Sequence, residues 1–576
     1  MQPATKSVGC FRLRNRPLSH LAEAIRAMQS SKISNDFLAR LRDDLSSRRI
    51  GDGLKLLERH RSDIHKMNPV LANSAAMVGC LAQWVDVGFD GLKLLNSLLA
   101  RFSKIRKGSL RLSDYAYLQL AEGVTRMLDD RFEEAIGQLQ AALAFGEDDV
   151  LYKQAVAIAD FWIARCHRRL GHYDQAMHYT LKARETAESL GCTPMAAVMR
   201  VLESWLIFQN GDSRRAEAIL KESEAVLQTT DDYVSLGNIQ SALGRIARRG
   251  GKYDLALDHL ARATVEYKKR DRWHRNVARS LVNISFVERL VALQLLKSVD
   301  RHVEIKRRKG AKISESSGPG GKQLRLRFQQ VHVKATAHLK EAMRIYRRYN
   351  DLRGLGIVHL NFGYLSMDRG DLIQGAKDAA ETYRLGKATG DNFIIARARI
   401  LQSAIEAAKY EEQVDELPDL SQHGRLACEY AREAVDHACL TENIRLQAKA
   451  YVALGLALSN EPFYDLDGAR ECAEKAGNLL KYGTHDYLQD EFHTLRRRIL
   501  TKGAVIPKLR EWSLGLVNGK TFKQITEEFA GIVIPQVWRL EDKKIARVAT
   551  RLAISPKKVR RILSNQGLQD PKQPLK

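Results

Sequence analysis

The sequence has 576 residues, with 93 Lys and Arg against 68 Asp and Glu, a formal net charge of +25 and a pI near 9.7. This length is enough for a large core in more than one structural unit. No apolar run approaches the ~20 residues that a membrane-spanning helix needs, so we expect no membrane partner.

The N-terminal segment and the cysteines indicate a cytoplasmic protein. Residues 1–34 are basic and begin without the apolar core of a secretory signal, so we expect a partly disordered segment there. The seven cysteines form no close pair of the kind that zinc sites and disulfide frameworks use. They are Cys10, Cys80, Cys166, Cys192, Cys428, Cys439 and Cys472.

Small residues recur with a period of 40 residues between residues 152 and 272. Four columns share this period: Gly171, Gly211 and Gly251; Ala176, Ala216 and Ala256; Ala164, Ser204 and Gly244; Ala183, Ser223 and Ala263. A small residue in each of two helices lets the helices cross closely, and a Gly between them favours a tight turn. The pattern therefore predicts consecutive helical hairpins.

These columns resemble the tetratricopeptide repeat, in the form of about 40 residues found in several bacterial regulators. The resemblance implies an all-α fold, an α-solenoid of about eight hairpins across residues 35–500 that stack into a right-handed superhelix. It is strongest for residues 152–272 and extends outward through more degenerate units, such as the one marked by Ala469 and Ala476.

A basic segment at residues 301–327 interrupts the repeats. It contains Ser-Ser-Gly-Pro-Gly-Gly, which favours a flexible loop over a regular element. We expect this insert to lie between the two helices of one hairpin. The insert could be a solvated loop, or it could make an auxiliary contact with nucleic acid or a protein.

The first helices of stacked hairpins line a concave groove, which suits an extended peptide or a protein surface. Polar residues on first helices are candidates for contact with such a partner, although they could simply solvate the groove. These residues are Asn238, Arg245, Asn283, Asn361 and Tyr364.

The C-terminal end is the most basic part of the chain. Residues 501–576 contain 16 Lys and Arg against 6 Asp and Glu, a net charge of +10. We interpret residues 501–519 as a connector, 520–568 as a small domain and 569–576 as a disordered tail. A strongly basic domain is the expected electrostatic footprint of nucleic-acid binding.

The small domain contains a helix-turn-helix pattern. Ile545, Val548, Ala549 and Leu552 form one apolar stripe, Ser555 and Pro556 favour a helix start, and Gly567 favours a helix end. The second helix would bury three apolar residues and could place its polar residues in the major groove of duplex DNA. The candidate DNA-binding residues are Ser555, Lys557, Lys558, Arg560, Arg561 and Ser564. Arg547 and Arg551 are further candidates, which we expect nearer the sugar-phosphate backbone of the DNA.

From Ala546 through Ile554-Ser555 to Gln566-Gly567-Leu568, this segment resembles the DNA-binding domain of the Fis family of bacterial regulators. The resemblance covers about forty residues, and it implies duplex DNA as a partner and action as a homodimer. The sequence departs from the family at two positions. Gln566 replaces an aromatic residue, and Ala553 stands where the turn usually has Gly, which is compatible with the resemblance if the φ of Ala553 is negative.

No pattern indicates an enzyme, a cofactor or a metal site. Pro319-Gly320-Gly321-Lys322 lacks both the first glycine and the preceding strand of a phosphate-binding loop. Paired acids such as Asp231-Asp232 are typical of helix-capping turns. We therefore expect binding functions only.

The hypothesis that follows is a cytoplasmic, nucleoid-associated transcriptional regulator. Its repeats would bind a protein or ligand, and its C-terminal domain would bind duplex DNA. The alternative is a repeat adaptor for protein–protein contacts, whose basic tail docks a partner or RNA instead of DNA.

Overall fold

The structure is a computed structural model that describes residues 34–106, 108, 110–144, 151–308, 319–412, 420–460, 465–481, 486–503 and 519–568. Throughout these ranges the regular elements are α-helices with no β-strand, which confirms the all-α class. The chain divides into two compact units after His493. Residues 1–33, most of the predicted connector 501–519 and the predicted tail 569–576 lie outside the described residues.

The first unit begins with five helices that pack around a shared apolar core. Trp84 is fully buried in this core, and an added Cβ at Gly53 would lie only 2.0 Å from its ring. The helices are α1 (Asn35–Ser46), α2 (Ile50–Arg59), α3 (Arg61–Lys66), α4 (Ser74–Asp86) and α5 (Leu92–Phe102).

Eight helical hairpins follow within the described residues, in agreement with the predicted α-solenoid. In each hairpin the two helices pack together, and several first helices also contact the first helix of the next hairpin. The helix pairs are α6 (Leu112–Leu128) and α7 (Phe132–Leu143); α8 (Lys153–Leu170) and α9 (Tyr173–Ser189); α10 (Thr193–Gln209) and α11 (Ser213–Leu227); α12 (Tyr233–Arg249) and α13 (Tyr253–Arg270); α14 (Arg275–Arg308) and α15 (Pro319–Arg348); α16 (Leu352–Asp368) and α17 (Leu372–Ala388); α18 (Asn392–Glu412) and α19 (Leu420–Cys439); α20 (Ile444–Leu458) and α21 (Leu466–Leu480).

The periodic small residues hold these hairpins together as predicted. Gly171 ends α8 in the left-handed region with a φ of +90°, where glycine carries no steric penalty. At the α12–α13 crossing, an added Cβ at Gly244 would lie 2.8 Å from Leu260 Cγ, so only glycine permits this approach. In the preceding hairpin, the Ser204 hydroxyl donates to the carbonyl of Ala216 at 2.9 Å.

The boundaries predicted for the basic insert at 301–327 were wrong. α14 continues to Arg308 and α15 begins at Pro319, so only residues 309–318 lie between them, outside the described residues. The insert does fall between the two helices of one hairpin. Residues 301–308 contain no Gly or Pro, and Pro319 at a helix start needs no N–H partner, so both helices extend further than loop composition suggested.

The last helix before the connector is α22 (Tyr487–Gly503). The second unit contains α23 (Phe522–Leu540), α24 (Ile545–Leu552) and α25 (Pro556–Asn565). In the parts of the chain that the structure describes, no helix combines the length and apolar character needed to cross a membrane.

Candidate functional sites: the C-terminal helices and the first-helix face

The three C-terminal helices enclose one small core. Ile534 of α23 packs with Val548 and Ala549 of α24 and with residues of α25. The apolar residues predicted for α25 are the ones that are buried: Val559, Ile562 and Leu563. The opposite side of α25 therefore faces solvent.

The α24–α25 turn has a left-handed residue at its centre. Ala553 has a φ of +52°, so the condition of a negative φ is not met and this alanine occupies the left-handed conformation. This conformation lets the Ile554 N–H donate to the Ala549 carbonyl at 3.0 Å and turns Ile554 toward the core. After the turn, Ser555 caps α25 by accepting from the Lys558 N–H at 3.2 Å, as predicted.

Gly567 ends α25, as predicted. Its φ of +68° lets the Leu568 N–H donate to the Leu563 carbonyl at 3.0 Å, while its own N–H donates to the Ser564 carbonyl at 2.9 Å. Leu568 then packs on the core, which completes a Schellman ending. Both ends of this ten-residue helix are therefore fixed by local hydrogen bonds.

The candidate DNA-binding residues of α25 share its outer face. Lys557, Arg561 and Ser564 follow one another at intervals of four and three, so they form a single stripe opposite the buried residues. Lys558 and Arg560 flank this stripe on its two sides. Ser555 is exposed at the start of the helix.

Three of the candidate arginines already contact acids of the same unit. Arg547 pairs with Asp542 at 3.3 Å, Arg551 pairs with Glu541, and Arg561 pairs with Glu527 of α23 at 2.6 Å. In contrast, no ion pair joins Lys557, Lys558 or Arg560 to another residue of the described chain. These three cations, near the start of α25, have no acidic partner in the described part of the chain.

Helix α23 exposes an apolar stripe. Phe522 is 86% exposed and Phe529 is 47% exposed, with the partly buried Ile525 between them at helical spacing. Contiguous exposed apolar residues on a soluble helix are typical of contact surfaces.

In the first unit, four of the five groove candidates lie partly exposed on first helices, and three of them contact arginines. The Asn238 Oδ1 accepts from Arg279 at 2.7 Å, and Asn283 Oδ1 accepts from Arg248 at 3.3 Å. Tyr364 lies under Arg289, whose guanidinium carbon is 4.4 Å from the ring centre. Asn361 differs, because it is buried and its amide donates to the Ile357 carbonyl of its own helix at 2.7 Å.

Arg245, the fifth candidate, belongs to a group that the sequence analysis missed. We define the arginine cluster as six partly exposed side chains on α8, α12 and α14: Arg165, Arg168, Arg169, Arg245, Arg248 and Arg279. A signal was present in the sequence. The spacing Arg-x-x-Arg-Arg at residues 165–169 recurs at residues 245–249, two repeat periods later.

Among the described residues, two carboxylates form ion pairs with the arginine cluster. Arg165 contacts Asp86 at 2.6 Å, and Arg169 contacts Asp130 at 2.8 Å. The other four have neutral partners or none, since Arg245 donates to the Ser241 carbonyl and Arg168 lies over Trp205. The cluster is therefore an excess of positive charge on a partly buried surface.

Burial lowers the pKa of Arg245 to about 9, with a further lowering by Arg279 and Arg248. For Arg168, burial is again the largest cause, and Arg169, Arg279, Arg165 and Arg245 push its pKa well below the usual range. Because a guanidinium stays protonated in proteins, these directions describe electrostatic destabilisation and not loss of charge.

The described residues contain no group of three or more His, Cys, Asp and Glu side chains placed to hold a metal ion. No protein-family model and no curated protein matches the sequence.

Several solved structures are similar at low identity. A Rap protein complexed with Competence and Sporulation Factor has a TM-score of 0.47 and 11% identity, over 70% of this chain and 98% of that one. The apo form of the quorum sensor NprR from B. thuringiensis has a TM-score of 0.47 and 12% identity, over 71% and 99%. The human IFIT1 dimer with m7Gppp-AAAA has a TM-score of 0.41 and 13% identity, over 82% and 96%. Because these TM-scores are below 0.5, the fold assignment is based on the helix pairs of this chain and not on the similar structures.

Proposed function

We propose that this protein is a DNA-binding transcriptional regulator whose α24–α25 pair is a helix-turn-helix and whose repeats bind a protein or ligand. The observation that carries the proposal is the outer face of α25. Lys557, Arg561 and the partly buried Ser564 form its stripe, flanked by Lys558 and Arg560. Among the described residues, Lys557, Lys558 and Arg560 have no acidic partner, whereas Arg561 pairs with Glu527.

The local geometry supports contact with duplex DNA. A helix fits the major groove, and residues near its N-terminus reach base edges there. Ser555 and Pro556 fix the start of α25, so the free cations extend from a rigid helix. The paired Arg547 and Arg551 lie on α24, and exchanging the exposed carboxylate of Asp542, the partner of Arg547, for a phosphate costs little.

The apolar stripe of Phe522, Ile525 and Phe529 supports a homodimer as the DNA-binding form. Two copies would present two copies of α25, and helix-turn-helix proteins commonly bind two half-sites. The same stripe equally suits contact with another protein, which is the observation that favours the adaptor alternative.

The test uses the full chain with K557A/R560A. If a lost side chain contacts a base, we expect the free energy of binding to selected duplex DNA to weaken by about 1–3 kcal/mol. If it contacts a phosphate, we expect the slope of log K against log salt to decrease in magnitude by about 1. The matched control is K523A/R539A, which removes two exposed cations from α23.

Equal losses in both variants would indicate unspecific attraction to the basic unit and would contradict a recognition role for α25. If the wild-type chain retains a protein partner but no duplex DNA at moderate salt, the adaptor function replaces the proposed one.

A further inference from the structure

We propose that the arginine cluster is a binding site for a compact polyanion of the oligophosphate class, and that this anion is a ligand of the repeat domain. The inference rests on the proposed function in one respect, namely that the repeats bind a ligand. It specifies the chemistry of that ligand.

The first argument is the imbalance of charge. Among the described residues, the six guanidinium groups form ion pairs with two carboxylates, Asp86 and Asp130. Asp351 and Asp391 act on Arg169, and Asp486 acts on Arg248, without forming an ion pair with them. Charges on partly buried surfaces are normally paired, because removing an ion from water is costly unless a counter-charge compensates. A bound anion would supply the missing counter-charge.

The second argument is a pair of unsatisfied donors. The Nε of Arg168 and the Nε1 of Trp205 are both buried, and neither has a hydrogen-bond partner in the described chain. The two residues are in contact, since the Arg168 guanidinium carbon lies 5.2 Å from the centre of the Trp205 ring. Both atoms are closed to solvent, but Arg168 as a whole is partly exposed, and no described residue forms an ion pair or hydrogen bond with its guanidinium group. The exposed part of this guanidinium group can therefore donate to a phosphate oxygen.

The arrangement also distinguishes a compact anion from an extended acidic peptide. Hydrogen bonds between α12 and α14 place Arg279 beside Asn238 and Arg248 beside Asn283. Arg169, Arg279, Arg165 and Arg245 all lie within electrostatic range of Arg168, which they repel. Along an extended peptide, side chains on one face are about 7 Å apart and each carries a single charge. An oligophosphate concentrates several charges on adjoining groups, and arginine binds phosphate in a bidentate manner.

Neutral neighbours already hold the arginines in place. Asn238 and Tyr267 accept from Arg279, and Asn283 accepts from Arg248, which also lies over Phe286 at 4.8 Å. These contacts orient the guanidinium groups without neutralising them. The binding site is therefore largely formed before a ligand arrives.

The test measures binding of inorganic tripolyphosphate to the full chain, by calorimetry and by thermal unfolding at constant ionic strength. We expect saturable binding that raises the Tm of the wild-type protein. In R168Q/R245Q the affinity should fall about tenfold or more, because two bidentate donors are lost. Without ligand, this variant should unfold at the same or a higher temperature, since like charges no longer repel.

Two controls separate this site from other basic surfaces. R214Q/R262Q removes two exposed arginines from the second helices α11 and α13, and K523A/R539A removes two exposed cations from α23. Both should bind tripolyphosphate like the wild type. If the double cluster variant does not fold, R168Q and R245Q are measured singly, and each should weaken binding.

Wild-type affinity in the cluster variants would overturn the proposal, as would saturable binding of an oligoglutamate peptide with none of tripolyphosphate. The DNA affinity of R168Q/R245Q without ligand should be unchanged. Failure of this inference therefore differs from failure of the proposed function, in which the wild-type chain would bind tripolyphosphate but retain no duplex DNA.

Discussion

At the scale of single residues, the turn between α24 and α25 contains a strained alanine. Ala553 has a φ of +52°, a region that costs an L-residue with a Cβ about 1–2 kcal/mol. Replacing it by glycine keeps the Ile554 N–H to Ala549 carbonyl bond and removes the strain. We expect Ala553→Gly to stabilise the C-terminal unit by about 0.5–1 kcal/mol, measured as slower amide hydrogen exchange in residues 545–568.

Gly567 provides the reciprocal control for this prediction. Its φ is +68°, and an added Cβ would meet nothing within 4 Å, so Gly567→Ala changes backbone strain without a steric clash. We expect this change to destabilise the same unit by about 1 kcal/mol. If the two substitutions shift exchange in the same direction, left-handed strain is not what limits stability there.

At the scale of the element, a histidine begins the long helix α14. The neutral His274 ring accepts from the Asn276 N–H through Nδ1 at 3.2 Å and stacks on Tyr267. Burial lowers the pKa of His274 to about 4, and Arg279 lowers it further while Asp271 opposes the change. Protonation would remove the acceptor and add a positive charge beside the arginine cluster.

This pKa predicts acid lability with a defined sign. The folded pKa lies below the unfolded value of about 6.5, so the contribution of His274 to stability is complete above pH 6.5 and is lost as pH falls toward 4. His274→Asn keeps a capping acceptor but does not titrate. Between pH 6.5 and 4, we expect the free energy of unfolding of the variant, measured with denaturant, to fall by about 1–3 kcal/mol less than that of the wild type. Parallel pH profiles for the two proteins would contradict this account.

At the same scale, the hairpins were predictable because their determinants are local. The columns that contain Gly171 and Gly244 repeat because every hairpin needs the same turn and the same close crossing. The extents of α14 and α15 were not predictable from composition, because charged residues without Gly or Pro continue a helix as readily as they form a loop. Asn361 lies on a first helix, as predicted, but it is buried and not exposed to the groove. Which face of the helix a residue occupies depends on packing, which the sequence alone does not give.

At the scale of the whole molecule, tertiary contacts that skip many repeats could not be predicted from the repeat pattern. The arginine cluster depends on how the stacked hairpins place the first helices α8, α12 and α14, although its Arg-x-x-Arg-Arg spacing was visible in the sequence. Likewise, Arg48 forms a buried ion pair with Asp232 at 2.6 Å, across 184 residues of sequence. Contacts of this range connect distant hairpins, whereas an ideal solenoid couples only neighbours.

Asp231 offers a test of this long-range coupling. Its carboxylate accepts from the Ile50 N–H at 2.6 Å and from the Gly51 N–H at 2.7 Å, so it caps the start of α2 from a position 181 residues away. We expect Asp231→Ala to destabilise α2 by about 1–3 kcal/mol and to speed amide exchange in residues 50–59. Asp212→Ala, which removes only a local cap of α11, should leave that exchange unchanged. Unchanged exchange at residues 50–59 in Asp231→Ala would mean that the first unit unfolds by nearest-neighbour coupling alone.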